Sequence, residues 1–462
     1  MVETFDLVVI GAGPGGYPAA IRAAQLGASV AIVEKEQLGG TCLNWGCIPT
    51  KALIGAADTL ARIRRAQTFG ISVQGVTVDY AAMIAHKDKV VGQLKGGIRQ
   101  LLSANGVKQF TGVASFRDRN TVSLSDGTAI GARKIIIATG SVSAMPGFLP
   151  KHERVVESRA FLEIDRLPGS LMILGGGFIG CELACLAALL GVKVTVVELL
   201  EDILLLLDAD VRREVRMHME KNLGIRVMTG KALEQITADA NGVRGNFGDE
   251  TVQADMLLCA IGRKPVTDGL NLANAGLKTT ERGFLEADVF GRTNVAHIFA
   301  IGDVTGKVQL AHYATSQGIV AAENACRPRL RRGETLVPNV IFTVPEVGTV
   351  GLSEDEARKQ GRAVKVGKFH LRGLGRALAV DETGGFVKWI ADASTDQILG
   401  AAAVGAHATE LISEATVAIR AEFTATELGR TIHAHPTFGE VWMEAAHSVH
   451  GEAIHSPPKR KL

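Results

Sequence analysis

One structural unit occurs twice in this chain of 462 residues. Each copy combines a short apolar run, a glycine-rich turn, an apolar helical stretch and a second apolar run that ends in an acidic residue. The turns occupy residues 11–16 and 175–180, and the acidic residues are Glu34 and Glu198. In both copies the acid lies 23 positions after the first glycine. This repeat predicts two strand–turn–helix–strand units, each with a parallel sheet.

The pattern GxGxxG of each turn suits a dinucleotide. Its first glycine permits a tight turn, its second lets the backbone approach a pyrophosphate, and its third lets the helix pack on the strand. The acid accepts hydrogen bonds from ribose hydroxyls. Glu198 would repel a 2′-phosphate, and residues 199–202 include no Arg or Lys to bind one. We therefore expect NAD rather than NADP at the second turn, with a purely structural turn as the alternative at each position.

Two cysteines, Cys42 and Cys47, follow the first unit with four residues between them. Two such thiols can form a disulfide if their Cα atoms come within about 7 Å. A metal site or no function at all are the alternatives for a pair taken alone. The other four cysteines lie in apolar or alanine-rich surroundings and are expected to be small buried side chains: Cys181, Cys185, Cys259 and Cys326.

From about residue 338 the chain changes character. Three runs, 340–343, 363–370 and 385–391, are typical of antiparallel strands, and residues 408–422 are predicted to be helical. The predicted fold class is α/β, with two Rossmann-like dinucleotide-binding domains and a C-terminal α+β domain. The length is consistent with this, at about 150 residues per domain.

The bulk composition excludes several functional classes. A net charge of +2 and an aromatic content of 5% disfavour a nucleic-acid partner. No apolar run reaches the roughly 20 residues of a membrane span, and residues 1–6 leave no room for a signal peptide before the first strand. We expect a cytoplasmic protein with no membrane attachment, whose basic tail, residues 457–462, is solvated.

Short motifs in order along the whole chain resemble the flavin-dependent pyridine nucleotide–disulfide oxidoreductases. The segments that carry the likeness are residues 33–35, 39–51, 138–141, 175–182, 260–263, 299–303, 310–312, 433–437 and Glu440. The resemblance implies domain boundaries at 1–147 for a first FAD-binding segment, 148–272 for an NAD-binding domain, 273–337 for a second FAD-binding segment and 338–462 for a dimerisation domain.

The resemblance also implies which cofactor each unit binds. The implied FAD contacts are Gly11, Gly13, Gly16, Glu34, Lys35, Gly40, Thr41, Lys51, Gly112, Thr139, Gly140, Ser141, Asp303, Leu310, Ala311 and His312. The implied NAD contacts are Gly175, Gly177, Phe178, Ile179, Gly180, Glu182, Glu198 and Gly262. Without the resemblance, Lys51 would be interpreted as an exposed surface lysine.

The implied catalytic residues are Cys42, Cys47, Lys51, Glu182, His435 and Glu440. By resemblance, Cys42 exchanges with the substrate thiol, Cys47 lies next to the flavin, and Lys51 pairs with Glu182 near it. His435 is the implied base for the thiol, oriented by Glu440. The His435-Pro436 sequence suits a cis peptide bond.

His433 and His435 would lie on the same side of an extended segment, where a metal pair is conceivable. No third ligand stands at a matching spacing, so we predict no metal site.

Within the family, the likeness is greatest to enzymes that oxidise a protein-bound dihydrolipoyl group with NAD⁺. It implies a homodimer in which His435 reaches Cys42 of the partner subunit. It also implies a lipoyl-bearing partner protein from a 2-oxoacid dehydrogenase or glycine cleavage complex. The alternatives are another NAD(P)H-dependent disulfide reductase and a flavoprotein scaffold or redox sensor. No cysteine follows Cys326, which disfavours reductases with a second, C-terminal thiol pair.

One segment departs from the family pattern. Residues 204–207 are four leucines, where the family has a polar or proline-containing turn. We expect a core-facing helix start there, next to the rim of the NAD site.

Overall fold

The computed structural model describes residues 2–457, so residues 458–462 of the basic tail lie outside it. The first unit is a mixed sheet in the order β3-β2-β1-β6-β5-β4, parallel from β3 to β6. Its elements are β1 (Glu3–Ile10), α1 (Gly16–Gln25), β2 (Val30–Glu34), α2 (Gly40–Trp45), α3 (Cys47–Arg65), α4 (Tyr80–Ala104), β3 (Lys108–Thr111), β4 (Ala114–Asp118), β5 (Thr121–Leu124), β6 (Ala129–Ile137) and β7 (Ser141–Ser143).

The second unit is a parallel sheet in the order β11-β10-β9-β15-β8, with an antiparallel sheet β12-β13-β14 beside it. Its elements are β8 (Val155–Glu157), α5 (Ser158–Leu162), β9 (Ser170–Leu174), α6 (Phe178–Leu189), β10 (Lys193–Glu198), α7 (Ala209–Lys221), β11 (Arg226–Thr229), β12 (Leu233–Asp239), β13 (Gly242–Phe247), β14 (Glu250–Ala254), β15 (Met256–Cys259) and β16 (Arg263–Pro265). The chain then returns to the first sheet, where β17 (Ile298–Ala300) pairs with β6 ahead of α8 (Ala311–Cys326).

The C-terminal unit is an antiparallel sheet in the order β18-β19-β22-β21-β20 with helices packed against it. Its elements are β18 (Asn339–Ile341), β19 (Val347–Gly351), α9 (Glu354–Lys359), β20 (Val364–His370), α10 (Gly375–Ala379), β21 (Gly385–Asp392), β22 (Ile398–Gly405), α11 (Ala408–Arg420), α12 (Ala425–Arg430) and α13 (Glu440–His450). Short 3-10 turns lie at Ala66–Phe69, Leu272–Ala275, Gly302–Thr305 and Leu371–Gly373.

The central strands of the first two units, β1 and β9, both end in continuous apolar runs. Leu7, Val8 and Val9 in β1 have no exposed surface, and neither do Met172 and Ile173 in β9. A parallel strand covered on both faces has no polar side to present to water. This architecture confirms the predicted fold class of two α/β units with a C-terminal α+β unit.

A buried ion cluster joins the second unit to the C-terminal unit. Lys388 on β21 is 1% exposed, and its Nζ lies 2.6 Å from Asp208 and 2.7 Å from Asp210 at the start of α7. Lys368 on β20 also pairs with Asp210. These contacts hold helix α7 against the C-terminal sheet.

The four-leucine segment is a loop, and the expectation of a helix start there is wrong. Helix α7 begins only at Ala209. Leu204 is buried with φ +52°, and its N–H donates to the Gly176 carbonyl at 2.9 Å, whereas Leu206 is 84% exposed. The segment wraps the glycine turn of the second unit because backbone bonding to that turn replaces helical bonding.

Candidate active site

The two glycine turns have the same backbone geometry. The first glycine of each has a positive φ, +101° at Gly11 and +111° at Gly175. A Cβ added to Gly16 would lie 1.8 Å from the Gly11 carbonyl oxygen, and a Cβ on Gly180 would lie 2.0 Å from that of Gly175. Only glycine at both ends of the turn lets the helix start this close to the preceding strand.

The acid at the end of each second strand is held by backbone N–H groups. Glu34 accepts hydrogen bonds of 2.8 Å from Ala12 and from Glu36. Glu198 is held in the same way, with a 2.6 Å bond from Gly176. A carboxylate has about four acceptor positions, so both residues keep capacity for ribose hydroxyls.

Open space lies beside the acid of the first unit and at the glycine turn of the second. A cavity of about 120 Å³ lies beside Glu34 and is also lined by Gln37, Arg99 and Thr111. At Gly177, an added Cβ would have no atom within 4 Å. The residues present therefore fit a dinucleotide in each unit, at the start of a helix whose free N–H groups favour phosphate.

Several residues predicted to bind FAD lie around the first turn. Gly40 begins α2 with φ +59°. A Cβ added at Gly40 would lie only 2.7 Å from Gly13 Cα. Gly112, which follows β3, donates its N–H to the Glu34 carbonyl at 3.0 Å. Lys35 and Thr41 are exposed at the ends of their elements.

The remaining predicted contacts lie at the ends of other elements. Thr139 donates its hydroxyl to the Val266 carbonyl at 2.7 Å. The His312 ring donates to the Pro338 carbonyl at 2.8 Å. The others take these places: Gly140 just before β7, Leu310 and Ala311 at the start of α8, Phe178 and Ile179 at the start of α6, and Gly262 just before β16.

Asp303 and Ser141 share a hydrogen-bond network with Arg263, a residue that sequence reasoning left without a role. The Ser141 hydroxyl donates to Asp303 at 2.5 Å and accepts from Arg263 Nε at 2.7 Å. Arg263 also donates to the Ser141 carbonyl at 2.7 Å. Because β7 and β16 pair antiparallel here, Arg263 ties the end of the second unit to the predicted FAD site.

Cys42 and Cys47 lie on two helices that meet at Gly46. Cys42 is the third residue of α2, and Cys47 is the first residue of α3. Both are free thiols and act on each other, with Cys47 exposed and Cys42 half-buried. The first turn of a 19-residue helix offers free N–H groups and the positive end of the helix dipole. This position favours a thiolate at Cys47.

The two thiols hold their protons unequally. The hydrogen bond from Cys42 lowers the pKa of Cys47, and the charge of Lys51 lowers it further. The same hydrogen bond, together with burial, raises the pKa of Cys42. A singly ionised pair therefore carries its negative charge on Cys47.

Lys51 lies one helical turn after Cys47 and is held from two sides. Its Nζ is 2.7 Å from Glu182 Oε2 on α6 and 4.4 Å from the centroid of the Phe342 ring, just after β18. Glu182 Oε1 accepts the Phe342 backbone N–H at 2.8 Å. Three units of the chain thus meet beside the cysteine pair. Sequence reasoning did not find Phe342, which lies outside every glycine or cysteine motif.

His435 and Glu440 form a pair at the start of α13. His435 Nδ1 is 2.9 Å from Glu440 Oε1, and the Thr437 N–H donates to Oε2 at 2.8 Å. Burial alone would raise the pKa of Glu440, but the bonds from Thr437 and His435 lower it overall. With Nδ1 bonded to the carboxylate, the exposed Nε2 is free to accept a proton. The predicted cis bond between His435 and Pro436 is confirmed.

That His433 and His435 lie on the same side of the segment stays a prediction. His433 has a carboxylate partner different from that of His435. Its Nε2 lies 2.7 Å from Glu414 Oε1, and its Nδ1 donates to the Thr431 carbonyl at 2.9 Å. The bond to Glu414 raises the pKa of His433. Across residues 2–457, no group of three or more His, Cys, Asp or Glu side chains is placed to hold a metal ion.

The cysteine cluster and the histidine pair do not meet within one subunit. Within the part of the chain that the structure describes, no hydrogen bond or ion pair joins His435 or Glu440 to Cys42, Cys47 or Lys51.

The other four cysteines were expected to be buried. Cys181, Cys185 and Cys259 are buried, and Cys326 is half-buried.

Comparison with known proteins assigns both parts of the chain to one family. The profile described as pyridine nucleotide-disulphide oxidoreductase matches residues 5–318. The profile of the dimerisation domain of the same family matches residues 337–446. Among the described residues, no helix combines the length and apolar character needed to cross a bilayer.

Relatives of the same length carry one enzyme name. Dihydrolipoyl dehydrogenase from Chlamydia muridarum is 44% identical, and the alignment covers 100% of both chains. The dihydrolipoyl dehydrogenase of Haloferax volcanii is 44% identical over 98% of this chain and 97% of the relative. That of Thermus scotoductus is 42% identical over 98% of this chain and 99% of the relative.

Solved structures show the same architecture. LpdA from Mycobacterium tuberculosis superposes with a TM-score of 0.89 at 27% identity, over 96% of this chain and 99% of that one. RclA from Escherichia coli, a HOCl-induced flavoprotein disulfide reductase, superposes with a TM-score of 0.87 at 28% identity, with the same coverage. Enzymes of this family use FAD and NAD(H). From its sequence over both domains and its fold, the chain belongs to the pyridine nucleotide-disulphide oxidoreductase family.

Proposed function

We propose that the chain is a dihydrolipoyl dehydrogenase, which oxidises a protein-bound dihydrolipoyl group and reduces NAD⁺. The observation that carries the proposal is the cysteine pair beside the Lys51–Glu182 ion pair, in a chain 44% identical along its whole length to an enzyme of that name. A dithiol beside a fixed positive charge is suited to hold a thiolate, which thiol exchange requires.

The proposed chemistry at sulfur is a double thiol–disulfide exchange. A substrate thiolate attacks Sγ of Cys42 in the oxidised pair, so that a mixed disulfide forms and Cys47 leaves as a thiolate. The second substrate thiol then attacks the substrate sulfur of that mixed disulfide and releases Cys42. The lipoyl group is thereby oxidised and the cysteine pair reduced by two electrons. The lowered pKa of Cys47 makes it the better leaving group.

The nucleotide units would complete the transfer. The turn at Gly11, Gly13 and Gly16, with Glu34, would hold FAD, and the turn at residues 175–180, with Glu198, would hold NAD. When bound, FAD supplies a ring that accepts the electron pair of the dithiol and passes it to NAD⁺ as hydride. Lys51, ion-paired with Glu182, supplies positive charge next to Cys47.

The proton of the substrate thiol would go to His435 of the partner subunit. A free thiol has a pKa of about 8.5 and is mostly protonated at neutral pH, so its attack on Cys42 requires a base. His435 is 76% exposed and bonded to Glu440. Among the described residues, no hydrogen bond or ion pair joins it to the cysteines of its own chain. A homodimer, supported by the match to a dimerisation domain, would bring the two together.

The substrate would arrive on a separate lipoyl-bearing protein of a 2-oxoacid dehydrogenase or glycine cleavage complex, and we propose a cytoplasmic location.

A second candidate function is reduction of another disulfide, favoured by the superposition on RclA. The identity to RclA is 28%, against 44% to a dihydrolipoyl dehydrogenase, and this lower identity makes the second candidate the weaker one.

The test is steady-state turnover of the FAD-loaded protein with dihydrolipoamide, using NAD⁺ and NADP⁺ as parallel acceptors. We expect turnover with a kcat above about 10 s⁻¹, as for a typical enzyme, and a preference for NAD⁺ because Glu198 repels a 2′-phosphate. Cys47→Ser should keep its flavin and lose lipoamide turnover, because no disulfide can form. Cys326→Ser is the matched control, since this half-buried thiol lies outside the pair.

Full lipoamide turnover in the Cys47→Ser protein would refute the dithiol route. No turnover with dihydrolipoamide, together with NADH-dependent reduction of another disulfide, would favour the second candidate. A protein that binds FAD and shows neither activity would be a scaffold or sensor.

A further inference from the structure

Phe342 touches both members of the Lys51–Glu182 ion pair from outside the two nucleotide-binding units. It directly follows β18, the first strand of the C-terminal sheet. The face of its ring lies 4.4 Å from Lys51 Nζ, and its N–H donates to Glu182 Oε1 at 2.8 Å. Glu182 is thereby bonded through both oxygens, one to Phe342 and the other to Lys51.

We infer that Phe342 is a positioning residue for Lys51, whose ring holds the ammonium beside Cys47 and so sets how readily that thiol ionises. The inference rests on the proposed role of the cysteine pair. It adds a residue of the dimerisation domain to the machinery that controls the charge at Cys47.

The physical argument begins with the freedom of the lysine side chain. Lysine has four rotatable side-chain bonds. A single carboxylate partner restricts the lysine ammonium only to an arc around the oxygen that binds it. Lys51 is still 29% exposed on its side chain, so water competes for the ammonium. An aromatic face attracts the ammonium through the ring quadrupole and blocks one side of that arc. Together, Glu182 and Phe342 restrict the ammonium to a position from which its charge acts on Cys47.

The segment after β18 is itself anchored on α6. Besides the bond from Phe342 to Glu182, the side chains of Phe342 and Val344 pack against the apolar cluster that contains Leu183 and Leu186 of α6. Alternate residues of this segment thus contact the same helix. The ring of Phe342 is held in place relative to Glu182 because the Phe342 backbone N–H is bonded to that carboxylate.

The titratable groups that act on the cysteine pair lie on α1, α2, α3 and α6. Cys47 is faced by Cys42 from α2, by Lys51 from its own helix and by Glu182 from α6. Tyr17 on α1 faces Cys42. Lys51 is the cation among these groups, so a change in its position acts directly on the thiolate.

The test is the pH dependence of Cys47 alkylation in the reduced protein. Iodoacetamide is applied at a series of pH values, and peptide mass spectrometry separates modification of Cys47 from that of Cys42. In Phe342→Leu, the midpoint for Cys47 should rise by about half a pH unit, because the ammonium is held less often beside the thiolate. Phe342→Tyr keeps an aromatic face and should retain the wild-type midpoint.

Phe386→Leu is the matched control. The Phe386 ring lies 4.1 Å from the Lys368 ammonium, the same kind of contact, but in the C-terminal sheet where Lys368 pairs with Asp210. In Phe386→Leu, the pH midpoint of Cys47 alkylation should equal that of the wild type. If Phe342→Leu fails to fold, Phe342→Met replaces the ring by an apolar side chain of similar volume and is read in the same way.

An unchanged midpoint in a folded ring-free variant overturns the inference, as does an equal shift in Phe386→Leu. A shift confined to the ring-free variants of Phe342, with Phe342→Tyr unshifted, supports it. Wild-type turnover with dihydrolipoamide is measured in parallel. If the Cys47 midpoint does not shift in the Phe342 variants and wild-type turnover is normal, only the role of Phe342 is refuted. If wild-type turnover is absent, the proposed function is refuted, and the alkylation result can still be interpreted.

Discussion

At the scale of single residues, the site depends on carboxylates that serve two donors at once. Glu440 binds His435 through one oxygen and the Thr437 N–H through the other. Glu182 likewise binds Lys51 through one oxygen and the Phe342 N–H through the other. A carboxylate suits this task because both of its oxygens accept. An amide, which has one acceptor and one donor, cannot replace it.

We expect Glu440→Gln to lower kcat for dihydrolipoamide oxidation by about 100-fold or more. If the amide oxygen stays on the Thr437 N–H, its NH₂ group faces His435 Nδ1 and selects the tautomer with the proton on Nε2. That tautomer cannot accept a proton from a thiol at Nε2. Stopped-flow reduction of the protein by dihydrolipoamide measures the effect.

NADH oxidation with an artificial electron acceptor is the control, because that half of the reaction does not involve the histidine pair. It should keep its wild-type rate in Glu440→Gln. Equal losses in both half-reactions would mean that Glu440 acts through the fold and not through His435.

At the scale of elements, the repeated turn is the feature in which sequence and structure agree most closely. The determinants of each turn lie within about 25 residues of one another, and each glycine has a backbone reason that does not depend on the rest of the molecule. Strands β19 and β22 were not predicted. β22 reads ILGAAAVG, and its alanines and glycines carry no strand preference of their own. It forms a strand because β19 and β21 pair with it on both sides.

Two substitutions in the second turn should have different effects. In Gly180→Ala, the new Cβ would lie 2.0 Å from the Gly175 carbonyl oxygen, so we expect about 3 kcal/mol of destabilisation in this unit and loss of NADH binding. In Gly177→Ala, the Cβ meets no atom within 4 Å, so the unit should fold normally. NADH binding should weaken by about tenfold, because the methyl group occupies the predicted pyrophosphate position.

Fluorescence titration with NADH and the FAD content of each purified protein measure these effects. Both variants should retain FAD, since the first turn is unaltered. Normal NADH affinity in Gly177→Ala would contradict the assignment of this turn to NAD.

At the scale of the whole molecule, a few buried contacts between units determine how the three sheets sit together. Lys388 is the clearest example, since its side chain is 1% exposed and its ammonium lies between two carboxylates at the start of α7. Among the described residues, Oδ1 of Asp208 is buried without a hydrogen-bond partner, whereas Oδ2 binds Lys388 and the Glu354 N–H. The site gathers residues from all three units, and its geometry therefore depends on such contacts.

We expect Lys388→Met to destabilise the protein by about 3–5 kcal/mol, because it leaves Asp208 buried without its cation and Asp210 with Lys368 alone. Urea unfolding at pH 7 measures the change. Arg358→Met is the control, since Arg358 pairs with Glu354 on the surface at 58% exposure and should cost at most about 0.5 kcal/mol.

Acid should remove part of the same stabilisation. Burial alone would raise the pKa of Asp210, but hydrogen bonds from Lys368 and Lys388 lower it overall. A lowered folded-state pKa gives stability that is present above about pH 4 and is lost as the pH falls through that pKa. This part of the acid dependence should be smaller in Lys388→Met, and an identical pH profile in the two proteins would contradict it.

Sequence alone predicts the two glycine turns, the spacing of their acids, the cysteine pair and the change of character near residue 338. All of these depend on residues close together in the chain, where backbone geometry and local chemistry leave few choices. The contacts of Arg263 with Ser141 and of Phe342 with Glu182 were decided only by the tertiary structure, because they join residues 122 and 160 positions apart. The partner of His433 was decided in the same way. The direction of a side chain in an irregular segment follows from what packs against it, and Glu414 reaches His433 from a helix that no local pattern connects to it.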